Sequence, residues 1–379
     1  MENNTTIKIL HLITGLSTGG AERALVKLLV NSDKALFEHR VISLMDKGTQ
    51  GPLLEKMGFV VHAMGMKGIA SSPLGLLRFR KLVRQWQPDV IHAWMYHAGM
   101  FAVGCGFNGP KILGIRHSLH DISQEKKTTQ YAIRWLANRS EKFDAIVYNA
   151  QKSKQQHEAF GYKCKLAKVI PNGFDTDVHS PKAELRIHVR KETGVGDLEL
   201  VFGNLARYHP MKDHKGLIMA FSKIHPSLPD AKLILAGTNV NKDNVEIVQL
   251  LASLNLSAKV HLMDDRTDVS AILNAMDVYV QASLGEAFPN VLGEAMSCEV
   301  PCIATDVGDS SLIVGDTGLV VPPGNTEALA EAMLRMAALP AAERQKLGQK
   351  ARQRIVEHYE LKQSTAAYEE LYLRLVGKK

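Results

Sequence analysis

The sequence predicts an α/β protein of two domains, each a parallel sheet wound with helices. Three observations lead there. At 379 residues the chain exceeds one ordinary domain and suits two. Short apolar runs alternate with helical patterns along most of its length, the order that a parallel sheet with helical crossovers requires. The alternation is interrupted at the turn-rich P-N-G-F-D-T-D around Gly173, after which a fresh strand pattern begins. The expected units are residues 1–173 and 174–360, with a last helical segment, 361–379, set apart.

In the first half, I-K-I-L-H-L-I-T (Ile7–Thr14) reads as a strand, and Ala21–Leu29 as an amphipathic helix. Between them stands G-L-S-T-G-G-A-E-R, a glycine turn of the kind that opens a βαβ unit. Gly19 and Gly20 let backbone approach a ligand at a helix N-terminus. The spacing is not G-x-G-x-x-G, so a dinucleotide is not favoured. Arg40–Leu44, Val60–Met64, Val90–Ala93, Ile112–Ile115, Phe143–Asn149 and Lys168–Ile170 read as further strands. Leu74–Trp86 and Tyr96–Phe107 read as helices. G-I-R-H-S-L-H-D places His117, His120 and Asp121 where a strand ends, the edge at which such sheets bind ligands. An imidazole there can act as acid, base or donor near neutral pH; Arg116 fits a phosphate or the fold equally.

The second half restarts with strands at Leu198–Asn204, Lys232–Ala236 and Lys259–Met263, an apolar run at Val278–Val280, and strands at Cys302–Thr305 and Leu319–Val321. The tail from Glu327 is helical and split at Pro340. Arg207 and Lys212, in L-A-R-Y-H-P-M-K-D-H-K-G-L, follow a strand end and suit phosphate oxygens, whereas Lys215 reads as surface charge. The stretch S-L-G-E-A-F-P-N-V-L-G-E-A-M-S-C-E-V-P carries Glu286 and Glu294 eight positions apart. Pro289 suits the first turn of a helix running to about Cys298. Glu286 would then lie before its N-terminus and Glu294 inside it. Free amides at that end favour an anion such as a diphosphate, while carboxylates accept hydrogen bonds from sugar hydroxyls. The site reads as one for a ligand both sugar-like and phosphorylated.

Composition narrows the partners. The chain is 45% hydrophobic and 22% charged, a soluble globular balance. No apolar run reaches the roughly 18 residues of a membrane span. The N-terminus enters a strand without a leader pattern, so a cytoplasmic location is expected. Cys105, Cys164, Cys298 and Cys302 lack the spacing of a zinc or disulfide framework. Net charge is +7, from 46 basic and 39 acidic residues, and it is uneven. Through Gly173 there are 24 basic and 12 acidic residues, or +12; the rest carries 22 and 27, or −5. A basic half suggests an anionic partner. With no nucleic-acid-binding motif present, a phosphorylated lipid or the inner face of an anionic membrane fits better. The helix P-L-G-L-L-R-F-R-K-L-V-R-Q-W, with Leu77, Phe79, Leu82 and Trp86 beside Arg78, Arg80, Lys81 and Arg84, can lie on such a surface or bury its apolar side as core.

The glutamate stretch, D-V-Y-V-Q-A-S before it, and P-C-I-A-T-D-V-G-D and G-L-V-V-P-P-G-N after it resemble glycosyltransferase family 4. These are retaining nucleotide-sugar enzymes of GT-B fold, and the resemblance covers nearly the whole chain. It implies two Rossmann-like domains facing a central cleft, with Leu361–Leu375 crossing back onto the first. It implies a nucleoside-diphosphate sugar donor, most naturally a UDP-sugar, held mainly by the second domain. The basic first half, the cytoplasmic location and the lack of a membrane span suit a lipid-diphosphate-linked saccharide as acceptor, in cell-surface polysaccharide, O-antigen or capsule assembly, with a soluble small acceptor as the alternative. Glu286 would contact the transferred sugar and Glu294 the ribose. Arg207 and Lys212 would clamp the diphosphate without a metal or cofactor. Phe288, Pro289, Asn290, Val291 and Leu292 would border the donor, and Asp264, where the family has Gly, would lie at the base. Gly20 would lie over the donor phosphates. His117 would hydrogen-bond the donor sugar, with Gly19, His120 and Asp121 toward the acceptor. Asp175 and Asp177 form a D-x-D but fall in the linker, so no metal role is assigned. Glu299 replaces the usual Gly before Val-Pro, which bears on the local turn. An epimerase or hydrolase of the same fold, and a nucleotide-binding protein without turnover, remain alternatives.

Overall fold

The computed structural model describes residues 6–17, 19–66, 73–119 and 121–377. The chain divides into two compact units, Met1–Gly173 with Leu361–Lys379, and Phe174–Glu360.

The first unit is built on strands β1 (Ile7–Ile13), β2 (Phe37–Ser43), β3 (Val60–Ala63), β4 (Val90–Trp94), β5 (Lys111–Ile115), β6 (Ala145–Tyr148) and β7 (Ala167–Val169). They pair in parallel in the order β3-β2-β1-β4-β5-β6-β7. The strands are short and β-branched because helices cover both faces; every residue of β4 and β6 is buried. Ile9, Trp94 and Val147 pack on one face, and Leu12, Ala93 and Ile146 on the other. The helix Pro73–Trp86 buries Phe79, Val83 and Trp86. Of the two readings left open for its apolar residues, Leu77 takes the exposed one, with Leu74, on a surface shared with exposed Arg78, Lys81 and Arg84.

The second unit holds β8 (Val201–Leu205), β9 (Lys232–Ala236), β10 (Val260–Leu262), β11 (Val278–Gln281), β12 (Cys302–Thr305) and β13 (Gly318–Val321). Their order, β10-β9-β8-β11-β12-β13, is the 3-2-1-4-5-6 arrangement of a doubly wound nucleotide-binding sheet. The strand expected from Leu198 begins later, at Val201. The Glu199 carboxylate accepts the Gly196 N–H at 2.6 Å, closing a turn, and Leu198 is fully exposed. Several helices went unpredicted, among them Gln50–Lys56, Lys127–Ala137, Gln151–Phe160 and Ala183–Thr193. Most are polar and expose much of their surface, so their apolar periodicity is weak.

The last helix, Leu361–Leu375, belongs to the first unit, where Tyr368, Leu371 and Tyr372 join the core. A buried polar chain reinforces it. The Trp94 indole N–H donates to His11 Nδ1 at 3.2 Å, which leaves His11 Nε2 to donate to His39 Nδ1 at 2.9 Å. His39 Nε2 then donates to Ser32 Oγ at 2.9 Å, and Ser32 Oγ donates to the Glu369 carboxylate on the helix at 2.8 Å. Each proton is fixed by the one before it. Burial holds His11 well below its usual range, and His39 down to about 4. Protonating His39 would set two donors against each other at its contact with His11. An unfolded histidine takes its proton near pH 6.5 and folded His39 only near 4. The unfolded chain therefore binds more protons between those values, and stability is lost as pH falls through that window. Thermal melts are expected to lose on the order of 2 kcal/mol from His39 by pH 5, with a flatter pH dependence in His39→Gln.

Candidate functional site

In the second unit the strand order reverses between β8 and β11, so their following loops diverge and leave a crevice at the carboxyl ends. Both charged motifs emerge there. After β8 come Arg207 and the 3-10 turn Pro210–Lys212; after β11 come Ser283 to Glu286. The Lys212 ammonium is ion-paired with Glu286 Oε1, and the two side chains are only 25% and 15% exposed. Ser283 Oγ donates to the same Glu286 oxygen at 2.8 Å, and Thr305 Oγ1 donates to the Ser283 carbonyl at 2.6 Å. The Leu284 N–H donates to the Met211 carbonyl at 2.8 Å, tying the two loops by backbone. Arg207 is exposed and has no ion pair among the described residues.

The loop geometry needs special backbone. Asp213 follows Lys212 at φ 48°, and its carboxylate accepts the Gly216 N–H at 3.0 Å, capping the helix His214–Ile224. At Gly237 (φ 140°) a Cβ would lie 2.3 Å from the Ala206 carbonyl oxygen. At Gly308 (φ 54°) it would lie 2.3 Å from that of Ala287. Ser283, Asp213, Gly237 and Gly308 were not singled out from sequence. Asp213 carried a usable signal, an acid just before a helix; the others depend on contacts with distant segments.

The helix bearing Glu294 runs Asn290–Ser297, and Pro289 precedes it in an extended conformation. Pro289 is thus the N-cap rather than the first helical residue, a correction that its rigid φ and missing N–H accommodate. Pro289 itself offers no side-chain cap. Phe288 is buried and stacks near Phe174, with ring centroids 5.8 Å apart. Val291 is half-buried and Leu292 fully buried, so Leu292 serves the core. Glu294 is 9% exposed, and its carboxylate has no ion pair or side-chain hydrogen bond among the described residues. A buried carboxylate without a partner is costly; hydroxyl groups are donors of the kind it lacks.

Asp264 has φ 51°, a left-handed conformation that glycine favours. Its N–H donates to the Val240 carbonyl and its carbonyl accepts from Gly237 N–H, at 2.9 and 2.7 Å. The amide is thus already used within the protein. Glu299 also stands in a glycine position, at φ 61°. The Glu299 N–H donates to the Met296 carbonyl and the Val300 N–H to that of Ala295, both at 3.1 Å, the paired bonds of a Schellman helix end. The turn persists with the wrong residue for it. The Asp175 carboxylate accepts from the N–H groups of Asp177 and Val178, a turn cap. Among the described residues, no three His, Cys, Asp or Glu side chains cluster to hold a metal ion.

In the first unit, Gly19 is the N-cap and Gly20 the first residue of the helix Gly20–Asn31, at the carboxyl end of β1. A Cβ on Gly20 would meet nothing within 4 Å, whereas one on Gly19 would meet the Glu22 carboxylate at 2.3 Å. The space over Gly20 is open. Arg116 serves the fold: its guanidinium bonds Asn172 and the Tyr368 hydroxyl and lies 4.9 Å from the Trp94 ring. The next residue, His117, is half-buried, with Nε2 at 3.1 Å from Glu125. The Asp121 carboxylate accepts from the Ser123 N–H at 2.9 Å, which holds it below the usual carboxylate range. His120 lies outside the described residues.

A doubly wound sheet with charged loops at its switch point marks a nucleotide-binding class of protein, and comparison with known proteins narrows it. The model described as Glycosyltransferase Family 4 matches residues 18–178, and that described as Glycosyl transferases group 1 matches residues 199–338. The chain belongs to this glycosyltransferase family. HepE of Anabaena, solved in complex with UDP, is 23% identical, with a TM-score of 0.84 over 96% of this chain and 99% of that one. WaaG, a glycosyltransferase involved in lipopolysaccharide biosynthesis, is 16% identical, with a TM-score of 0.74 over 98% of this chain and 100% of that one. The fold is therefore that of the GT-B glycosyltransferases. N-acetyl-alpha-D-glucosaminyl L-malate synthase of Bacillus anthracis is 29% identical over 48% of each chain, so the match spans about half that relative's length. The UDP-Gal:alpha-D-GlcNAc-diphosphoundecaprenol alpha-1,3-galactosyltransferase of Escherichia coli is 23% identical over 69% of each.

Because a left-handed backbone is relieved by glycine, Glu299→Gly is expected to stabilise the protein by up to about 1 kcal/mol. A higher melting temperature with an unchanged fold is the readout.

Proposed function

We propose that the protein transfers a sugar from UDP-sugar to a lipid-linked saccharide with retention of configuration. The observation that carries the reading is the pairing of Lys212 with Glu286 at the β8–β11 switch point, beside exposed Arg207. In this reading Arg207 and Lys212 hold the diphosphate, with the helix N-terminus after Pro289, and stabilise the charge that grows as it leaves. Glu286, fixed by Ser283, receives a hydroxyl of the transferred sugar. Buried Glu294 receives the ribose hydroxyls, and Asn290 and Val291 border the donor. The Asp264 amide being occupied, base recognition falls to neighbouring atoms of that loop. The Gly20 turn is assigned to the donor phosphates, His117 to the donor sugar, and Gly19 and Asp121 to the acceptor side. The leaving phosphate takes the acceptor's proton, with no metal required.

UDP as the nucleotide is supported by the UDP complex of HepE, and a lipid-diphosphate acceptor by the name of the Escherichia coli relative. Leu74 and Leu77, exposed beside Arg78, Lys81 and Arg84, support peripheral contact with an anionic membrane on the cytoplasmic side. Among the described residues, no helix is long and apolar enough to cross a membrane.

Calorimetric titration with UDP and a donor-turnover assay test the site together. Glu286→Ala is expected to lower transfer at least about 100-fold, a loss of about 2.7 kcal/mol. Its affinity for free UDP should be equal or higher, because Lys212 loses its competing carboxylate. Arg207→Ala should weaken both. Equal loss of UDP binding and transfer in Glu286→Ala contradicts the assignment. In sedimentation with phosphatidylglycerol vesicles, raised salt and the Leu74→Ser/Leu77→Ser double variant should each reduce binding. Attachment indifferent to both would refute the membrane contact.

A further inference from the structure

In the first unit, hydrogen bonds between helices and loop fix the protons around His117. His157 Nδ1 lies 2.7 Å from the Ser153 carbonyl, one turn back in the helix Gln151–Phe160. A carbonyl only accepts, so Nδ1 carries the proton and Nε2 keeps a lone pair. That Nε2 lies 2.7 Å from the Tyr96 hydroxyl, which therefore gives its proton to His157. Burial keeps both groups neutral: His157 is pulled down to about 4 and Tyr96 is pushed well above its usual value. The Tyr96 oxygen then has only lone pairs to turn toward His117 Nδ1, 3.5 Å away. On the far side of the ring, His117 Nε2 is 3.1 Å from the Glu125 carboxylate. Both nitrogens of His117 face acceptors. A neutral imidazole has one N–H and serves one of them; an imidazolium serves both. The backbone agrees, since Ser153 Oγ donates to the His117 carbonyl at 2.6 Å and pins the residue to the same helix.

Titratable neighbours among the described residues come from different elements. Glu125 lies in the loop after the 3-10 turn Ile122–Gln124, Tyr96 on the helix Met95–Gly104, and His157 on the helix Gln151–Phe160. Arg116, adjacent in sequence, turns its guanidinium away to Asn172, Tyr368 and Trp94. Glu125 is an anion bonded directly to the ring. The side chains of His117 and Glu125 are 36% and 30% exposed, so a ligand can reach the pair.

We propose that Glu125 is a positioning residue that holds His117 as a doubly protonated, oriented donor, and that a substrate oxygen replaces Glu125 at Nε2 when the donor sugar binds. The second clause rests on the transferase reading; the first does not. No bond is made or broken in this step: one N–H exchanges its acceptor, and the charge stays on the ring.

The test is a titration of the His117 ring resonances in the full-length, ligand-free protein, paired with the pH profile of transfer. The wild-type midpoint is expected above the ordinary histidine value of about 6.5. In Glu125→Gln it should fall by about one unit or more, and Glu125→Asp should restore part of the shift. Transfer by Glu125→Gln should then fail at correspondingly lower pH, because the active form is protonated, with kcat reduced more than the donor KM rises. A wild-type midpoint at or below 6.5, or one unmoved in Glu125→Gln, overturns the assignment of Glu125. A shifted midpoint with no UDP-sugar turnover under any condition leaves that assignment standing and removes the transferase reading instead. A shifted midpoint with an unshifted activity profile removes the hand-over to substrate.

Discussion

The reversal of strand order between β8 and β11 is the constraint on which the candidate site depends. It sends the loops after these strands apart and leaves a crevice between their carboxyl ends. Lys212 and Glu286, 74 residues apart in sequence, meet because each lies a few residues beyond one of those strands. The supporting features follow from the same constraint. Asp213 takes a left-handed conformation in the loop after β8, Gly237 after β9 packs close against Ala206 of that loop, and Gly308 packs close against Ala287 of the other. Thr305 holds Ser283, and Ser283 holds Glu286. The charged pair is mostly buried, so a phosphate or hydroxyl that joins it meets groups already stripped of much of their water.

The sheet strands were legible because a parallel sheet covered on both faces leaves short apolar runs in the sequence. The two glutamates were legible because their spacing around a proline suggests a loop followed by a helix. What escaped the sequence depends on distance or on backbone sign. Nothing local says that Ser283 bonds Glu286 rather than solvent, or that Arg116 turns inward to Tyr368, 252 residues away. Glu299 and Asp264 look like departures from a glycine pattern, yet both keep the left-handed backbone. The substitution stores strain without changing the turn. Pro289 moved by one position because a proline is tolerated both at the N-cap and just after it.

Adjacent residues of one strand end divide the labour in the first unit. Arg116 packs toward Trp94 and the final helix, where Trp94, His11, His39, Ser32 and Glu369 form a chain of fixed protons. His117 faces Tyr96, His157 and Glu125, a second such chain that reaches solvent. The same chemistry therefore serves two ends. Where the histidines are sealed they stay neutral and anchor a helix, and where a carboxylate meets the ring near the surface it favours the charged form.

The central claim is that the nucleotide binds at the β8–β11 crevice of the second unit. Amide hydrogen exchange, followed with and without saturating UDP, addresses it most directly. The account expects protection concentrated in two segments, Ala206–Asp213 and Ser283–Leu292, with the remainder of that sheet unchanged. Protection that falls elsewhere while these segments exchange as in the free protein would contradict it.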